Sequence, residues 1–343
     1  MKKNEVSTLD DIARECKVSA STVSRVLNNE QGISRDTRDR VLACAHRNRF
    51  TLQRRRKPVT RSLIELLIVV PDGVEVAHNP FYEVGELINA IGDAFDAVKK
   101  RIEITTYSAM EEAMGGDSLK VDGVICAFGD ISAAAKGVLR ARGVPYVFLN
   151  RTFPDENYIS CNHFHGMLTL GTHLYDSGCR SIGYLGCETI PVNRDRFRGY
   201  CVAVAEHTQS FEGITQLGLA SIDEVSPAVA QFFVERECDA VMCFNDNFAI
   251  RLIGEFRKLG IQVPGGIAVT GFDDSPLRRV FKPSLTTISL STYEMGFFAA
   301  RWILDNIYRK ETRRLRLEVD GVFIEGETVP KKTSGAGDVR GKK

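Results

Sequence analysis

Along the first fifty residues apolar positions recur every three to four residues in three short runs: Leu9, Ile12 and Ala13; Ala20, Val23, Val26 and Leu27; Val41, Leu42 and Ala45. That spacing predicts three short helices. Thr8-Leu9-Asp10-Asp11 has the form of a capping-box start, Ser19 stands where the second helix needs an N-cap, and the third begins at Ser34. Residues 51–62, Thr-Leu-Gln-Arg-Arg-Arg-Lys-Pro-Val-Thr-Arg-Ser, carry no stripe and read as a linker in which Pro58 stops any helix. From Leu63 the pattern changes. Mainly apolar runs of strand length, the strand candidates, fall at Ile64–Val70, Ile102–Tyr107, Gly123–Ala127, Tyr146–Leu149, Ile182–Gly186, Ala240–Phe244, Ile267–Gly271 and Thr286–Ser289. Helical patterns separate them near 81–99, 131–142, 163–177, 194–208, 226–236, 246–259 and 292–309. Runs apolar on both faces and joined through helices predict parallel strands covered on both sides. Eight such units exceed one comfortable sheet, so two doubly wound subdomains are expected. The polar, Gly/Lys-rich stretch 331–343 reads as a disordered tail.

Composition narrows the class. At 343 residues the chain suits about two domains with a small appendage. With 43% apolar and 26% charged residues it is an ordinary globular composition, which excludes long disorder and collagen-like repeats. No apolar run reaches the roughly 18 residues of a bilayer span, and Met1-Lys2-Lys3-Asn4-Glu5 leads into a charged stretch rather than an apolar signal core. A cytoplasmic protein is expected, without membrane association. The nine cysteines are scattered with no Cys-x-x-Cys pair, so buried thiols rather than disulfides or a zinc site are expected. His163-Phe164-His165 lacks further ligands nearby and reads as ordinary polar positions; neither a metal nor a cofactor is expected. The net charge of +1 hides an asymmetry: residues 1–62 hold 15 Lys/Arg against 7 Asp/Glu, and the remainder is acidic. A basic head on an acidic body points to a polyanionic partner for the head alone.

A short helix, a three-to-four-residue turn and a second helix exposing small polar residues describe a helix-turn-helix. In Ser19-Ala20-Ser21-Thr22-Val23-Ser24-Arg25-Val26-Leu27-Asn28 the apolar positions hold the helix to its neighbours, which leaves Ser21, Thr22, Ser24, Arg25 and Asn28 for a groove. Small residues let a helix N-terminus approach base edges, and an arginine can make the bidentate contact to guanine. The ordinary alternative is a three-helix bundle with a solvated Ser/Thr face.

The string Val18-Ser19-Ala20-Ser21-Thr22-Val23-Ser24-Arg25-Val26-Leu27-Asn28, with Thr8-Leu9-Asp10-Asp11-Ile12-Ala13 before it and Ile33-Ser34-Arg35-Asp36-Thr37-Arg38-Asp39-Arg40-Val41 after it, resembles the headpiece of the lactose/galactose repressor family. The resemblance implies that Ala20, Ser21 and Arg25 read bases, while Thr8, Ser19, Thr22, Ser24, Asn28 and Thr37 anchor phosphates or brace the motif. In the hinge the chain departs from the family pattern of a short helix with a minor-groove leucine: Arg54-Arg55-Arg56-Lys57-Pro58 stands there. A wedge centred on Leu52 or Val59 competes with insertion of Arg54, Arg55 and Arg56 into a narrow minor groove, and with a charged linker touching phosphates only. Of the three, arginine insertion is the expectation.

The body resembles the same family over roughly residues 64–330, through Val70-Pro71-Asp72, Asn79-Pro80-Phe81-Tyr82, Arg196-Phe197-Arg198-Gly199-Tyr200, Phe244-Asn245-Asp246 and Gly271-Phe272-Asp273-Asp274-Ser275-Pro276-Leu277. The fold expected is an all-α helix-turn-helix headpiece plus an α/β periplasmic-binding-protein-like effector domain of two Rossmann-like subdomains. The expected division is a headpiece over 1–50, a basic hinge over 51–62 and a ligand-binding and dimerisation domain over 63–330. Within it, one lobe takes about 63–161 and 289–317, the other about 162–288 and 318–330, with crossovers near 161, 289 and 318. Ligands in such sheets bind at strand C-termini. Asn150, Asn245 and Asp273 follow predicted strands and Arg196 starts a helix, a set of donors and acceptors suited to a polyol; Phe81 or Tyr82 offers a flat face for a sugar ring. These six match the family's pocket positions. Each also has a plainer role, since Asn245 and Asp273 could cap helices, Arg196 could pair with a surface acid, and Phe81 could be core. Gly218-Leu219-Ala220 lacks the aromatic, and Asn150 replaces the aspartate, that many relatives carry. The extended segment before Pro80 is similar to the branch regulating β-galactoside use.

The resemblance implies a homodimeric repressor on a palindromic DNA operator, released or recruited by a small effector, a sugar by these residues. The stretch after Pro330 lacks leucine heptads, so no C-terminal coiled coil is expected. Two other classes compete: a solute receptor without a DNA role, against which the basic head stands, and a nucleotide-dependent enzyme, against which the missing phosphate-loop and nucleophile motifs stand.

Overall fold

The structure is a computed structural model that describes residues 9–27, 33–47, 63–72, 84–96, 98–115, 120–309 and 314–331. Its first helix, α1 (Leu9–Glu15), ends because Lys17 takes a left-handed backbone (φ 53). There the Lys17 and Val18 amides donate back to the Arg14 and Ala13 carbonyls, closing the helix in the double hydrogen-bond pattern of a Schellman end. Two residues later α2 (Ala20–Leu27) starts, capped by Ser19, whose Oγ accepts the Thr22 N–H at 3.1 Å. Ser34 caps α3 (Arg35–Arg47) in the same way, accepting from the Thr37 N–H at 3.3 Å. Ile12, Ala13, Cys16, Val23, Val26, Val41 and Cys44 close the core between the three helices. Cys16 and Cys44 thus join a core that hydrophobic spacing assigned to leucine, valine, isoleucine and alanine.

The chain divides into two compact units, residues 1–60 and 61–343. The second holds two parallel sheets. The larger consists of β1 (Ile64–Val70), β2 (Lys100–Thr106), β3 (Gly123–Ala127), β4 (Tyr146–Leu149), β5 (Tyr158–Cys161) and β11 (Arg316–Val319), in the order β11-β5-β4-β3-β1-β2. The smaller orders β6 (Ile182–Cys187), β7 (Thr215–Leu219), β8 (Ala240–Cys243) and β9 (Ala268–Thr270) as β7-β6-β8-β9. A short antiparallel pair, β10 (Thr287–Ser289) with β12 (Val322–Ile324), accompanies them. Helices α4 (Val84–Phe95), α5 (Tyr107–Gly115) and α6 (Ala133–Ala141) belong with the first sheet, where α12 (Thr292–Arg309) packs on α4. Helices α7 (His163–Asp176) and α8 (Asn193–Thr208) pack together; α9 (Pro227–Glu235), α10 (Asp246–Lys258) and α11 (Pro276–Val280) complete the second half.

Sheet order shows how the halves are wired. The chain leaves the large sheet at β5 and enters α7 at His163; it returns through β10 into α12, and passes from β11 to β12. Asn162 caps α7, its Oδ1 accepting from His165 N–H while its amide donates to Asp320 at 3.2 Å, so the first and third passages are pinned together. Among the described residues no helix is long and apolar enough to cross a membrane.

The parallel α/β architecture expected from the sequence is present, with differences in detail. Tyr107 begins α5 instead of ending β2. Its ring is buried with the hydroxyl donating to the Ala127 carbonyl at 3.0 Å, a tertiary anchor that ends the strand one residue early. Four strands had no apolar run to announce them: β5, β7, β11 and β12, each short or partly exposed on alternate positions.

Candidate functional site

In the headpiece unit, α2 presents its polar side as the sequence spacing requires: Val23 and Val26 are buried, Ser21 and Arg25 exposed, Ala20 and Thr22 half-buried. Ser19 lies at the centre of a hydroxyl cluster, 2.8 Å from both the Ser21 and the Thr22 hydroxyl oxygens. Thr37 accepts a hydrogen bond from the Ser34 hydroxyl at 2.9 Å, which braces the start of α3. Ser24 also falls on α2. Thr8, Asn28, Arg54, Arg55 and Arg56 lie outside the described residues, as do Phe81 and Tyr82.

In the second unit three of the predicted pocket residues meet. Arg196, in the first turn of α8, is 1% exposed. Its guanidinium donates from Nη2 to Asp273 Oδ1 at 2.6 Å, from Nη1 to the Phe244 carbonyl at 2.5 Å and from Nε to His163 Nδ1 at 3.2 Å. It is stacked between aromatic rings, 4.0 Å from the Phe272 centroid and 4.7 Å from Phe244. Such a cation gains from ring quadrupoles and ion pairing together, which offsets part of its desolvation. Asp273 follows β9 with φ 104, a backbone strain held by the bond from its N–H to the Ile288 carbonyl at 2.8 Å. Burial pushes its carboxyl above the ordinary carboxylate range, while Arg196 and a hydrogen bond from the Asn245 side chain work in the opposite direction.

Asn245 takes the capping role that its place after a strand allows. Its Oδ1 caps α10 by accepting the Phe248 N–H at 3.1 Å, and its side chain also bonds Asp273. Among the described residues Arg196 pairs with no exposed acid; its partner is the half-buried Asp273. Asn150 follows β4 with a left-handed φ of 55, its N–H bonded to the Ile159 carbonyl at 2.8 Å. It is 4% exposed, and its Oδ1 is buried without a hydrogen-bond partner among the described residues. The next residue, Arg151, acts electrostatically on both His163 and Asp273.

Sequence reasoning missed Asp246. Fully buried at the start of α10, it accepts the Ser275 N–H at 2.6 Å on one oxygen and the Thr287 hydroxyl at 2.6 Å on the other. A Cβ at Gly271 would collide with its carboxylate, so this loop needs glycine there. The residue thereby holds the 271–275 loop that carries Asp273. Burial, with the Asp273 and Asp274 charges adding to it, pushes its carboxyl up to about 8. The unfolded chain binds that proton only below about pH 4, so between about pH 4 and 8 the native state holds the extra proton and its stability falls as pH rises. Asp246→Asn keeps an acceptor for Ser275 and a donor for Thr287 without the titration. The expected result is a smaller loss of Tm for Asp246→Asn than for the parent chain between about pH 5 and 8; equal losses contradict it.

The two units together have the plan of a helix-turn-helix transcriptional regulator with a binding domain attached. Comparison with known proteins agrees: the family model for bacterial regulatory proteins, lacI family, matches residues 8–51, and that for the periplasmic binding protein-like domain matches residues 172–329. The chain is similar to the HTH-type transcriptional regulator MalR of Streptomyces coelicolor, 31% identical over 322 residues that cover 87% of this chain and 90% of the relative. It is 27% identical to the ribose operon repressor of Halalkalibacterium halodurans, over 94% of this chain and 97% of that protein. Among solved structures, the transcriptional regulator CelR–cellobiose complex superposes with a TM-score of 0.65 at 22% identity, covering 94% of this chain and 99% of that one. The chain belongs to the lacI family of bacterial regulatory proteins.

Proposed function

We propose that this regulator is a repressor that binds a palindromic DNA operator as a homodimer and responds to a small sugar held where Arg196, Asp273 and Asn245 converge. The observation that carries the reading is the buried Arg196–Asp273–Asn245 constellation at the C-terminal ends of β8 and β9, in a unit that follows a helix-turn-helix. Guanidinium, carboxylate and amide groups gathered in one largely buried place offer directed donors and acceptors to the hydroxyls of a polyol. The relatives support the ligand class: one is named a ribose operon repressor, and a structural neighbour is a cellobiose complex.

In this reading Ala20, Ser21 and Arg25 face base edges. Thr8, Ser19, Thr22, Ser24, Asn28 and Thr37 serve phosphates or brace the motif, and Arg54, Arg55 and Arg56 enter the minor groove. Phe81, Tyr82 and Asn150 complete the sugar site. The headpiece takes residues 1–50 and the hinge 51–62. The site binds and does no chemistry, and the protein works in the cytoplasm beside the chromosome. One headpiece covers half a site, so a two-fold symmetric operator is expected. The test is selection from random duplexes with the purified full-length chain, in the presence and absence of sugars, followed by thermal shift of the chain against those sugars. Enrichment of a palindrome together with a raised Tm supports the reading; recovery of no preferred sequence under any condition overturns it.

A further inference from the structure

His163 is the first residue of α7, at the passage from the large sheet to the second half, and is 3% exposed. Arg196 Nε donates to its Nδ1 at 3.2 Å, so the neutral imidazole carries its proton on Nε2. Burial and the Arg196 and Arg151 charges hold the ring neutral well below the usual histidine range. Nε2 is buried and has no hydrogen-bond partner among the described residues. An unanswered buried N–H donor destabilises the fold that holds it. Replacing it with an apolar group of similar shape would avoid that cost. The ring cannot turn to relieve it, because Arg196 holds the opposite nitrogen and the Phe272 ring packs against it at 5.5 Å between centroids. Arg196 itself spends three of its N–H groups on protein acceptors.

We infer that His163 is a specificity-determining residue of the same site, its Nε2–H donating to an oxygen of the bound sugar while Nδ1 keeps Arg196 in place. The inference rests on the sugar-binding reading above. A fixed donor selects for an acceptor oxygen at one position of the ligand, and the buried Asn150 Oδ1 offers the complementary acceptor for a hydroxyl proton.

Asparagine and glutamine separate the two nitrogens. His163→Asn presents an acceptor near Nδ1 and lacks the Nε2 donor; His163→Gln presents an amide donor near Nε2. The probes are D-ribose, D-galactose, D-glucose and cellobiose, with the monodeoxy analogues of whichever binds, measured by calorimetry on the full-length chain. Loss of affinity of roughly 5- to 150-fold is expected for His163→Asn, with partial recovery in His163→Gln. One monodeoxy sugar should bind parent and His163→Asn alike, because the oxygen that His163 meets is then missing. Without sugar, the Tm of His163→Asn should stay within about 2 °C of the parent. Equal affinity of parent and His163→Asn overturns the inference and leaves the sugar site intact. A loss of the same size for every deoxy sugar, or a large fall of Tm without sugar, also overturns it, since either marks a role in packing. Failure of the parent chain to bind any of the sugars removes the sugar reading, and the inference with it.

Discussion

Arg196→Met is expected to destabilise the second unit and abolish its binding of sugar. The side chain is 1% exposed, with three acceptors and two aromatic rings around it. Methionine fills much of the volume but returns none of the hydrogen bonds. Asp273 is then left on a left-handed backbone in a site whose burial already opposes its charge. Breaking a buried pair by removing one partner costs about 3–5 kcal/mol, and at about 2–4 °C per kcal/mol the Tm should fall by roughly 10 °C. Asp273→Asn in the same chain should recover part of that loss, because the uncompensated carboxylate is gone. Thermal unfolding of the two single variants and the double variant measures the coupling directly. A Tm within about 2 °C of the parent for Arg196→Met would mean that the pair is incidental.

Arg25→Ala is expected to weaken operator binding without changing the fold of the headpiece. Arg25 is exposed on α2, and the core beneath it is made by Val23 and Val26. A bidentate arginine–guanine contact contributes about 1–3 kcal/mol of discrimination. A dimer on a palindrome loses two such contacts, roughly 2–6 kcal/mol in all. Fluorescence anisotropy on the selected operator and on variants of its half-sites distinguishes the roles. A base-reading arginine relaxes specificity at one position in each half-site. An arginine that only touches phosphate weakens all duplexes alike and lowers the salt slope by about 1 per contact. The second pattern would remove Arg25 from the base-reading set.

The strands legible in the sequence are those buried on both faces: β1, β3, β4, β6 and β8 are almost wholly apolar and almost wholly buried. Strand β7, Thr-Gln-Leu-Gly-Leu, lies at a sheet edge with alternate residues exposed, and its pairing with β6 comes from distant chain. Strand β11 has the same alternation and the edge position beside β5, more than 150 residues away. Local pattern carries no record of such pairings. In the site, Asn245 and Asp273 could be found because strand ends attract functional groups. Asp246 could not be, because its partners Ser275 and Thr287 lie 29 and 41 residues away. His163 was visible only as one member of a two-histidine pair. Its meaning comes from Arg196, 33 residues on, while its neighbour His165 turns to Asp320 at 3.1 Å.

Sugar occupancy and operator occupancy are expected to be coupled through one chain, and coupling of this kind is reciprocal. The direct measurement is a titration of the selected operator duplex with purified full-length protein, by anisotropy at fixed salt, with and without saturating sugar. The reverse titration of sugar follows, with and without duplex. Operator affinity is expected to change by about 5- to 150-fold, and sugar affinity by the same factor when DNA is bound. Two affinities that each ignore the other ligand would contradict it.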